Sequence, residues 1–398
     1  MLKLTSTLTA ALLMVPGPLG AFANEVLKVG ITAPTTGSAA TWGLGMDWAA
    51  KEAAKEVNAA GGVTVDGKKY TFEVITYDNK YTAAEGTKVA QTLINRDGAR
   101  YIIGAIGTAP VQALQAISER NNVILFQSGW GKSLRGPTRP LTFTASSTPF
   151  EIFDPLYSFV HKKHPDAKTV AILNPNDATG KESEPVAQEV WGKLGVKIVS
   201  VNWYERGSTQ FQPIAAKLAA AKADIIDLGV TPPADAAVVY QELAVLGWKG
   251  VKVVPVGTSA AQMAKIGGES SDGVYMGFSG DYAGDKATDI QRRLNEGMQK
   301  AVGEPLNPLQ VGSYDAIYAL KAAMEKANSL DPTVIAKTLP TITFPTSYGT
   351  TSVGGASVYG SPQQFLLPVM ITQIQNGKLV ELDRIWPAEL KERGISVR

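Results

Sequence analysis

The sequence contains no cysteine and two histidines among 398 residues. Without cysteine the chain forms no disulfide and supports no reaction that needs a thiolate. The charges almost cancel, with 38 lysines and arginines against 36 aspartates and glutamates. A balance this close to neutrality argues against a nucleic acid partner, and no basic run suggests a membrane surface. With 44% hydrophobic residues the chain can bury large cores, and its length indicates two domains.

The first 23 residues are typical of a secretory signal peptide. Lys3 precedes an apolar stretch at 8–15, and Ala21-Phe22-Ala23 matches an A-x-A cleavage site. The apolar stretch is short for a membrane span, and the prolines and glycines at 16–20 would break a buried helix. We therefore expect cleavage after Ala23 and export. An exported chain without disulfides fits the bacterial periplasm.

From Val26 onward, short apolar runs alternate with amphipathic segments of helical length. Strands are predicted at 27–32, 71–78, 101–107 and 123–128, then at 169–174, 197–204, 224–230 and 251–257. Helices are predicted between them at 41–62, 82–98, 110–121, 184–195, 210–223 and 234–247, then at 285–302, 309–328 and 332–339. A hairpin is predicted around Asn376-Gly377. Two successive βα patterns predict two parallel sheets, each covered by helices on both faces.

Residues 127–136, QSGWGKSLRG, follow a predicted strand and look like the end of a phosphate-binding loop. Such a loop needs a glycine five positions before its final Gly-Lys, because the chain must turn around a phosphate. That position is Phe126, inside the strand. Phosphate binding is therefore not expected, and no cofactor is predicted.

No arrangement of residues indicates an enzyme. His161 and His164 have a spacing that is compatible with a metal, but Lys162, Lys163 and Pro165 indicate a solvated helix end. A Ser-His-Asp hydrolase would need one of these histidines, and the G-x-S-x-G motif is missing. We expect no catalytic residue and no metal site, with an exported hydrolase as a weaker alternative.

Small and hydroxylated residues cluster where the predicted strands end. In an open parallel sheet, ligands bind beyond the carboxyl ends of the strands, where helix N-termini direct free N–H groups. Each such loop is also compatible with helix capping, but three of them on one sheet favour a site for an anion or a carboxylate. Trp42 and Trp130 have glycine or polar neighbours and are expected to face the ligand. The loops are 33–38, 107–109 and 127–130 in the first unit, and 176–179, 231–232, 257–259 and 279–282 in the second.

Two segments carry a resemblance to a known family. VGITAPTTGSAATWGLGMDWAAKEAAKEVNAAGG and YDNKYTAAEGTKVAQTLINRDGARYIIGAIGT closely resemble the opening of type I periplasmic binding proteins of the branched-chain amino acid type, components of ABC importers. The matching features are Thr36-Gly37, the helix end at 58–62, Asp78 and Gly104. The resemblance implies an α/β fold of two Rossmann-like lobes with parallel central sheets, joined by a three-stranded hinge and closing on a small ligand.

The resemblance, which covers essentially all of 25–390, also implies a division of the chain and a set of ligand-binding residues. We expect the signal peptide at 1–23, lobe 1 at 24–143 and 276–344, and lobe 2 at 144–275 and 345–398. The residues expected to hold the ligand are Thr36, Ser38, Trp42, Thr108, Ala109, Ser128, Gly129, Trp130, Asp177, Thr231, Thr258 and Asp281.

One feature of the loop at 257–259 departs from the family's pattern. In amino-acid binders of this family that loop commonly supplies a carboxylate to the ligand's ammonium, and here it offers only hydroxyls. A buried ammonium without a carboxylate partner carries a penalty of several kcal/mol, unless Asp177 or Asp281 compensates. An amino acid, an aromatic or other organic carboxylate and an amide remain alternative ligands.

The sequence thus predicts the solute-binding component of an ABC importer. We expect a periplasmic monomer that captures a small organic solute by lobe closure and delivers it to an inner-membrane permease. A binding protein that signals to a receptor partner is the alternative. Neighbouring permease and ATPase genes would favour the importer.

Overall fold

Two α/β units account for residues 25–37 and 39–396, the part of the chain that the computed structural model describes. The expected signal peptide and Ser38 lie outside the described residues. The strands are β1 (Glu25–Ala33), β2 (Val63–Val65), β3 (Lys68–Asp78), β4 (Tyr101–Ala105), β5 (Ile124–Gln127), β6 (Thr142–Thr144), β7 (Thr169–Pro175), β8 (Lys197–Tyr204), β9 (Ile225–Asp227), β10 (Val251–Val253), β11 (Tyr275–Met276), β12 (Thr343–Thr346), β13 (Gly349–Gly354), β14 (Gln364–Phe365), β15 (Val369–Gln375) and β16 (Lys378–Ile385).

The helices cover both faces of the two sheets. They are α1 (Ala40–Ala59), α2 (Ala83–Gln91), α3 (Thr108–Ser118), α4 (Pro149–Lys163), α5 (Ala178–Lys193), α6 (Gln212–Ala220), α7 (Pro233–Val245), α8 (Ala260–Gly267), α9 (Asp289–Val302), α10 (Pro308–Ala327), α11 (Pro332–Thr338), α12 (Ala356–Tyr359) and α13 (Ala388–Glu392). A π-helical turn, Thr92–Arg96, continues α2, and a 3₁₀ turn, Lys132–Leu134, follows β5. Among the helices of the described residues, none combines the length and the hydropathy that a bilayer crossing needs.

Lobe 1 is built on a nine-stranded sheet and lobe 2 on a seven-stranded sheet. The strand order is β12-β13-β14-β6-β5-β4-β1-β3-β2 in lobe 1 and β16-β15-β11-β10-β9-β7-β8 in lobe 2. The central pairs of both sheets are parallel, and antiparallel pairs occur toward the edges. The expected α/β fold with two parallel-dominated sheets is therefore confirmed.

Between β1 and β16 the chain crosses from one lobe to the other three times, at 145–148, 277–288 and 366–368, and these segments correspond to the expected hinge. After β16 the chain returns once more to lobe 1, where the backbone N–H of Gly355 donates to Glu389 of α13 (2.8 Å). The second crossing carries Phe278, which is buried beside the cleft.

The division of the C-terminal segment differs from the expected one. Residues 345–398 were expected in lobe 2, yet β13 and β14 belong to the sheet of lobe 1. The reason is that Gln364 of β14 pairs in parallel with Thr144 of β6, the last strand before the first crossing. Lobe 2 receives only the hairpin β15–β16, which confirms the hairpin predicted at Asn376-Gly377. Its two turn residues have positive φ (50° and 72°), as a tight hairpin turn requires.

Each sheet is packed between helical layers that bury apolar stripes. In lobe 1 the apolar stripe of α1, formed by Met46, Ala49, Ala50, Ala53 and Val57, is buried. The opposite face of that sheet is covered by α2 and α3. In lobe 2, α4 and α5 cover one face and α6 to α8 the other. These layers fix the strand ends of the two sheets on either side of one cleft.

Candidate functional site

A cleft lies between the lobes where the strands of both sheets end. Lobe 1 lines it from the loops after β3, β4 and β5, and lobe 2 from the loops after β7, β8, β9 and β10. The empty space between these side chains, including the open mouth, is about 440 Å³. The lining residues are Trp42, Tyr81, Ile106, Gly107, Ser128, Trp130, Thr179, Arg206, Val230, Pro232, Pro233, Val256, Thr258 and Leu309.

The first turn of α3 meets the cleft at Gly107. This residue has a positive φ (82°), and a Cβ there would lie 2.9 Å from the ring of Tyr81. Glycine is therefore required, because it permits both the left-handed conformation and the close approach. No side chain among the described residues caps the start of α3. Because its N-cap residue Gly107 lines the cleft, the first N–H groups of α3 and the positive end of its dipole lie at the cleft.

Aromatic rings form the lobe 1 wall of the cleft. The rings of Trp42 and Tyr81 are 6.5 Å apart, and Trp130 packs edge-to-face on Phe278 at 5.4 Å. Burial raises the pKa of the Tyr81 phenol, which keeps it a neutral hydrogen-bonding group. The indole N–H of Trp130 is buried and has no hydrogen-bond partner among the described residues. A buried donor of this kind is normally satisfied, so the wall offers a ligand an unused donor.

Lobe 2 contributes the charge of the cleft. Arg206 donates through Nε to Oδ2 of Asp177 (2.6 Å), and its guanidinium faces the Tyr81 ring across the cleft at 6.0 Å. Burial by itself lowers the pKa of Arg206, but Tyr81 and Asp177 outweigh it and leave the pKa above its usual value. Arg206 is therefore charged, and it is the one charged side chain among the described residues that line the cleft.

Four residues expected from sequence, Trp42, Ser128, Trp130 and Thr258, line the cleft. Ser128 is buried at the end of β5, and the hydroxyl of Thr258 is buried without a partner among the described residues. Thr231 lies between the lining residues Val230 and Pro232, and its buried hydroxyl likewise has no partner in the described part of the chain.

The other expected residues have different surroundings. Thr36 donates to Asp78 on the exposed rim, and Ala109 is exposed in the first turn of α3. The N–H of Gly129 donates to Gln127, and Thr108 bonds Thr179 of lobe 2 (2.7 Å).

Neither aspartate that was expected to hold a ligand lines this cleft. Asp177 caps α5 by accepting from the N–H of Gly180 (2.9 Å), and its other oxygen holds Arg206. Asp281 lines a separate groove and accepts from the N–H of Ala283 (3.2 Å). Both carboxylates therefore have other partners.

Sequence reasoning missed Tyr81 and Arg206, and it included Thr179 in the loop 176–179 without naming it as a ligand-binding residue. Tyr81 and Arg206 lie just after β3 and β8, so the same strand-end argument would have found them if it had been applied to every strand. Thr179 lies in the first turn of α5, which begins at Ala178 rather than at 184. Within residues 25–37 and 39–396, no group of three or more acidic or histidine side chains is placed to share a metal ion.

A model of the periplasmic binding protein family matches residues 26–378. The chain belongs to this family. Its relatives are type I periplasmic binding proteins of the branched-chain amino acid group, as the sequence resemblance indicated. The leucine-, isoleucine-, valine-, threonine- and alanine-binding protein of Pseudomonas aeruginosa is 21% identical over 328 residues, which cover 82% of this chain and 85% of that protein.

Solved structures of periplasmic binding proteins have the same fold. The leucine binding protein LivK of Thermotoga maritima aligns over 92% of this chain and 100% of its own, with a TM-score of 0.78 and 20% identity. A solute binding protein from R. palustris in complex with 4-hydroxybenzoate aligns over 91% of this chain and 96% of its own, with a TM-score of 0.75 and 20% identity. The fold is thus common to proteins with chemically different solutes, so fold alone does not identify a ligand.

Proposed function

We propose that this protein is the extracytoplasmic solute-binding component of an ABC importer, and that its solute is a small organic carboxylate without an ammonium group. The observation that carries the choice of solute is the charge of the cleft. Arg206 is the one charged side chain of the described lining, and its partner Asp177 does not line the cleft. The guanidinium is therefore the charged group that a solute meets, which favours an anion over a cation.

Donors for the carboxylate come from both lobes. The uncapped start of α3, the hydroxyl of Ser128 and the indole N–H of Trp130 lie on lobe 1. Arg206 and the hydroxyl of Thr258 lie on lobe 2. Charge-assisted bonds from such groups are about twice as strong as neutral ones. The apolar body of the solute would pack between the tryptophans and the aliphatic side chains of Ile106, Val230 and Leu309.

An α-amino acid fits this cleft less well than its deaminated analogue. Asp177 and Asp281, the two carboxylates that could have compensated for Thr258, are engaged elsewhere. A buried ammonium without a partner costs several kcal/mol, and Arg206 adds repulsion. The relative bound to 4-hydroxybenzoate supports an aromatic carboxylate as one member of the solute class.

Matched ligand pairs test the proposal directly. Leucine and 4-methylpentanoate differ by the ammonium group, and so do phenylalanine and 3-phenylpropanoate. In thermal unfolding assays we expect the carboxylates to raise Tm and the amino acids to have little effect, since a ligand at 100 times its Kd adds about 2.7 kcal/mol. A larger shift with leucine than with 4-methylpentanoate would place an ammonium in the cleft. A flat response to all carboxylates would contradict the solute class.

Transport and signalling are separated by a different measurement. An importer component would be required for uptake of the bound carboxylate by cells, and deletion of its gene would abolish that uptake. A sensor would leave uptake intact. We propose a monomer without enzymatic activity that is exported by means of its signal peptide, residues 1–23, and mass spectrometry of the secreted chain would locate its N-terminus.

A further inference from the structure

A contact outside the cleft lining joins the two lobes directly. Glu182 lies in α5 of lobe 2, and Ser133 lies in the turn after β5 of lobe 1. The backbone N–H of Ser133 donates to Oε2 of Glu182 (2.8 Å), and its hydroxyl donates to Oε1 (2.7 Å). Both oxygens of one carboxylate are therefore used by one residue of the opposite lobe.

Ser133 is held in place by its own lobe. Its hydroxyl accepts from Nε2 of Gln112 (2.9 Å), and its carbonyl accepts from Nε of Arg139 (3.1 Å). Its N–H belongs to the 3₁₀ turn Lys132–Leu134, and the first N–H groups of such a turn have no partner within it. Glu182 supplies a charged acceptor for one of them across the lobe boundary.

The sequence Gly131-Lys132-Ser133, which resembles part of a phosphate loop, is explained by this contact. A Cβ at Gly131 would lie 2.5 Å from Cγ2 of Thr108 and 3.1 Å from Oε1 of Glu182. Glycine lets the turn approach α5 closely enough for the two hydrogen bonds. A second bond across the lobes, between the buried hydroxyls of Thr108 and Thr179 (2.7 Å), lies next to it. A hinge opening that separates the lobes would break both contacts.

We propose that Glu182 is a positioning residue that latches lobe 2 to Ser133 and so favours the closed state independently of the solute. An interaction that exists only in the closed state shifts the open–closed equilibrium by its own free energy. The inference rests on the proposed function only in taking lobe closure as the step that encloses the solute. The latch would then slow solute release without touching the solute.

The absence of cysteine permits a test that needs no solute. In the double variant Thr108→Cys/Thr179→Cys, two thiols replace hydroxyls whose oxygens lie 2.7 Å apart across the lobes, so the two sulfur atoms can meet when the lobes are closed. The rate of disulfide formation with oxidised glutathione measures how often the lobes close. Alkylation rates of the two thiols in the unfolded chain control for their intrinsic reactivity.

Glu182→Ala in this background should slow cross-linking by about fivefold, the effect of losing two charge-assisted bonds at an exposed position. Glu182→Gln, which keeps an acceptor, and Ser133→Ala, which keeps the backbone donor, should each slow it by about twofold. Glu242→Ala is the matched control, because it removes the same charge from lobe 2 helix α7, and Glu242 makes no hydrogen bond to lobe 1 among the described residues. The Glu242→Ala substitution should leave the cross-linking rate unchanged.

Two outcomes would overturn the latch. One is an equal cross-linking rate in Glu182→Ala and Glu242→Ala. The other is no cross-linking in any variant, which would mean that Thr108 and Thr179 do not meet in solution. Equal melting temperatures of the variants would show that the rates do not reflect unfolding. Because no ligand is added, these results are independent of the carboxylate proposal.

Discussion

The two lobes share one structural feature at the start of the helix that follows the first strand of each sheet. In lobe 1, a Cβ at Gly43 of α1 would lie 1.8 Å from the carbonyl oxygen of Pro34, and in lobe 2, a Cβ at Gly180 of α5 would lie 2.0 Å from that of Pro175. In each case a glycine in the first turns of the helix packs on a proline that ends or follows the first strand. The helix N-terminus is thereby held against the strand end, on the cleft side of the lobe.

The chemistry placed on this shared frame differs between the lobes. Lobe 1 presents aromatic rings, among them Trp130, and neutral donors, whereas lobe 2 presents Arg206. The shared packing of helix on strand therefore determines the position of the binding site, and the side chains of the loops after the strands determine which solute binds. Lobe 1 is expected to supply most of the binding free energy, and lobe 2 the discrimination by charge.

The largest expected effect is a loss of solute affinity on substitution of Trp130 in the lobe 1 wall of the cleft. Trp130→Ala removes a ring that packs on Phe278 and an unused donor, so the affinity for the best carboxylate should fall by about 100-fold, or about 3 kcal/mol. Titration calorimetry measures the change in Kd. Trp130→Phe keeps most of the ring and loses the N–H, and it should cost about tenfold. Retention of full affinity in Trp130→Ala would remove this residue from the site.

The next largest expected effect is a loss of stability on substitution of the two glycines that pack on a proline carbonyl. Gly43→Ala and Gly180→Ala each place a methyl group against a backbone carbonyl, which should cost about 2 kcal/mol of unfolding free energy. Urea denaturation measures the loss. If the lobes unfold separately, each variant should shift the transition of its own lobe.

Gly192 on α5 provides the control for these substitutions. A Cβ there meets no atom within 4 Å. Gly192→Ala should therefore be neutral or slightly stabilising, by up to about 1 kcal/mol, because alanine favours the helix. Equal destabilisation at all three positions would mean that the proline contacts are not the cause.

The charge on lobe 2 should matter for selectivity more than for affinity. Arg206→Gln should weaken carboxylate binding by about tenfold and reduce the preference for 4-methylpentanoate over leucine, because it removes the cation and frees Asp177. Calorimetry with this ligand pair measures both changes. Arg292→Gln, which removes an arginine paired with Asp289 in α9, is the matched control and should change neither. An unaltered preference in Arg206→Gln would contradict the assigned role.

The sequence allowed prediction of the parts that depend on local pattern. The alternation of β and α segments identified the two sheets, and strand β8 was predicted with the observed bounds. The start of α5 was missed because Pro185 suggested a first helical turn, whereas the helix begins at Ala178 and accommodates that proline internally. That error concealed Glu182, which lies in the missed first turns of α5 and contacts Ser133 of lobe 1.

Contacts between residues distant in sequence were the second feature that could not be predicted. The assignment of β14 to lobe 1 depends on one parallel pair between residues 364 and 144, which no local periodicity encodes. The ion pair of Arg206 with Asp177 also joins separate loops, so the sequence offered Asp177 as a free carboxylate. In physical terms, propensity and amphipathicity are local, but the electrostatic state of a site is set by partners distant in sequence.

Each lobe contains a buried aspartate that accepts hydrogen bonds from its own lobe. Asp315 of α10 accepts from the N–H (2.6 Å) and the hydroxyl (3.1 Å) of Ser347, and burial raises its pKa to about 7. In lobe 2, Asp227 accepts from the indole N–H of Trp191 (2.8 Å) and the N–H of Gly229 (2.8 Å). Burial raises the pKa of Asp227 as well.

The smallest expected effect is the pH dependence that Asp315 adds to folding. In the folded state the Asp315 carboxyl is protonated below pH 7, whereas in the unfolded chain it loses its proton above about pH 4. The free energy of unfolding should therefore rise as pH falls through 7. Between pH 8 and pH 6 the gain should be about 1 kcal/mol, and it should be absent in Asp315→Asn, which keeps an acceptor for Ser347. Unfolding measured at both pH values in the two proteins isolates this contribution from the histidines. An identical pH slope in both would mean that Asp315 stays charged, and that lobe 1 tolerates a buried carboxylate through its hydrogen bonds to Ser347 alone.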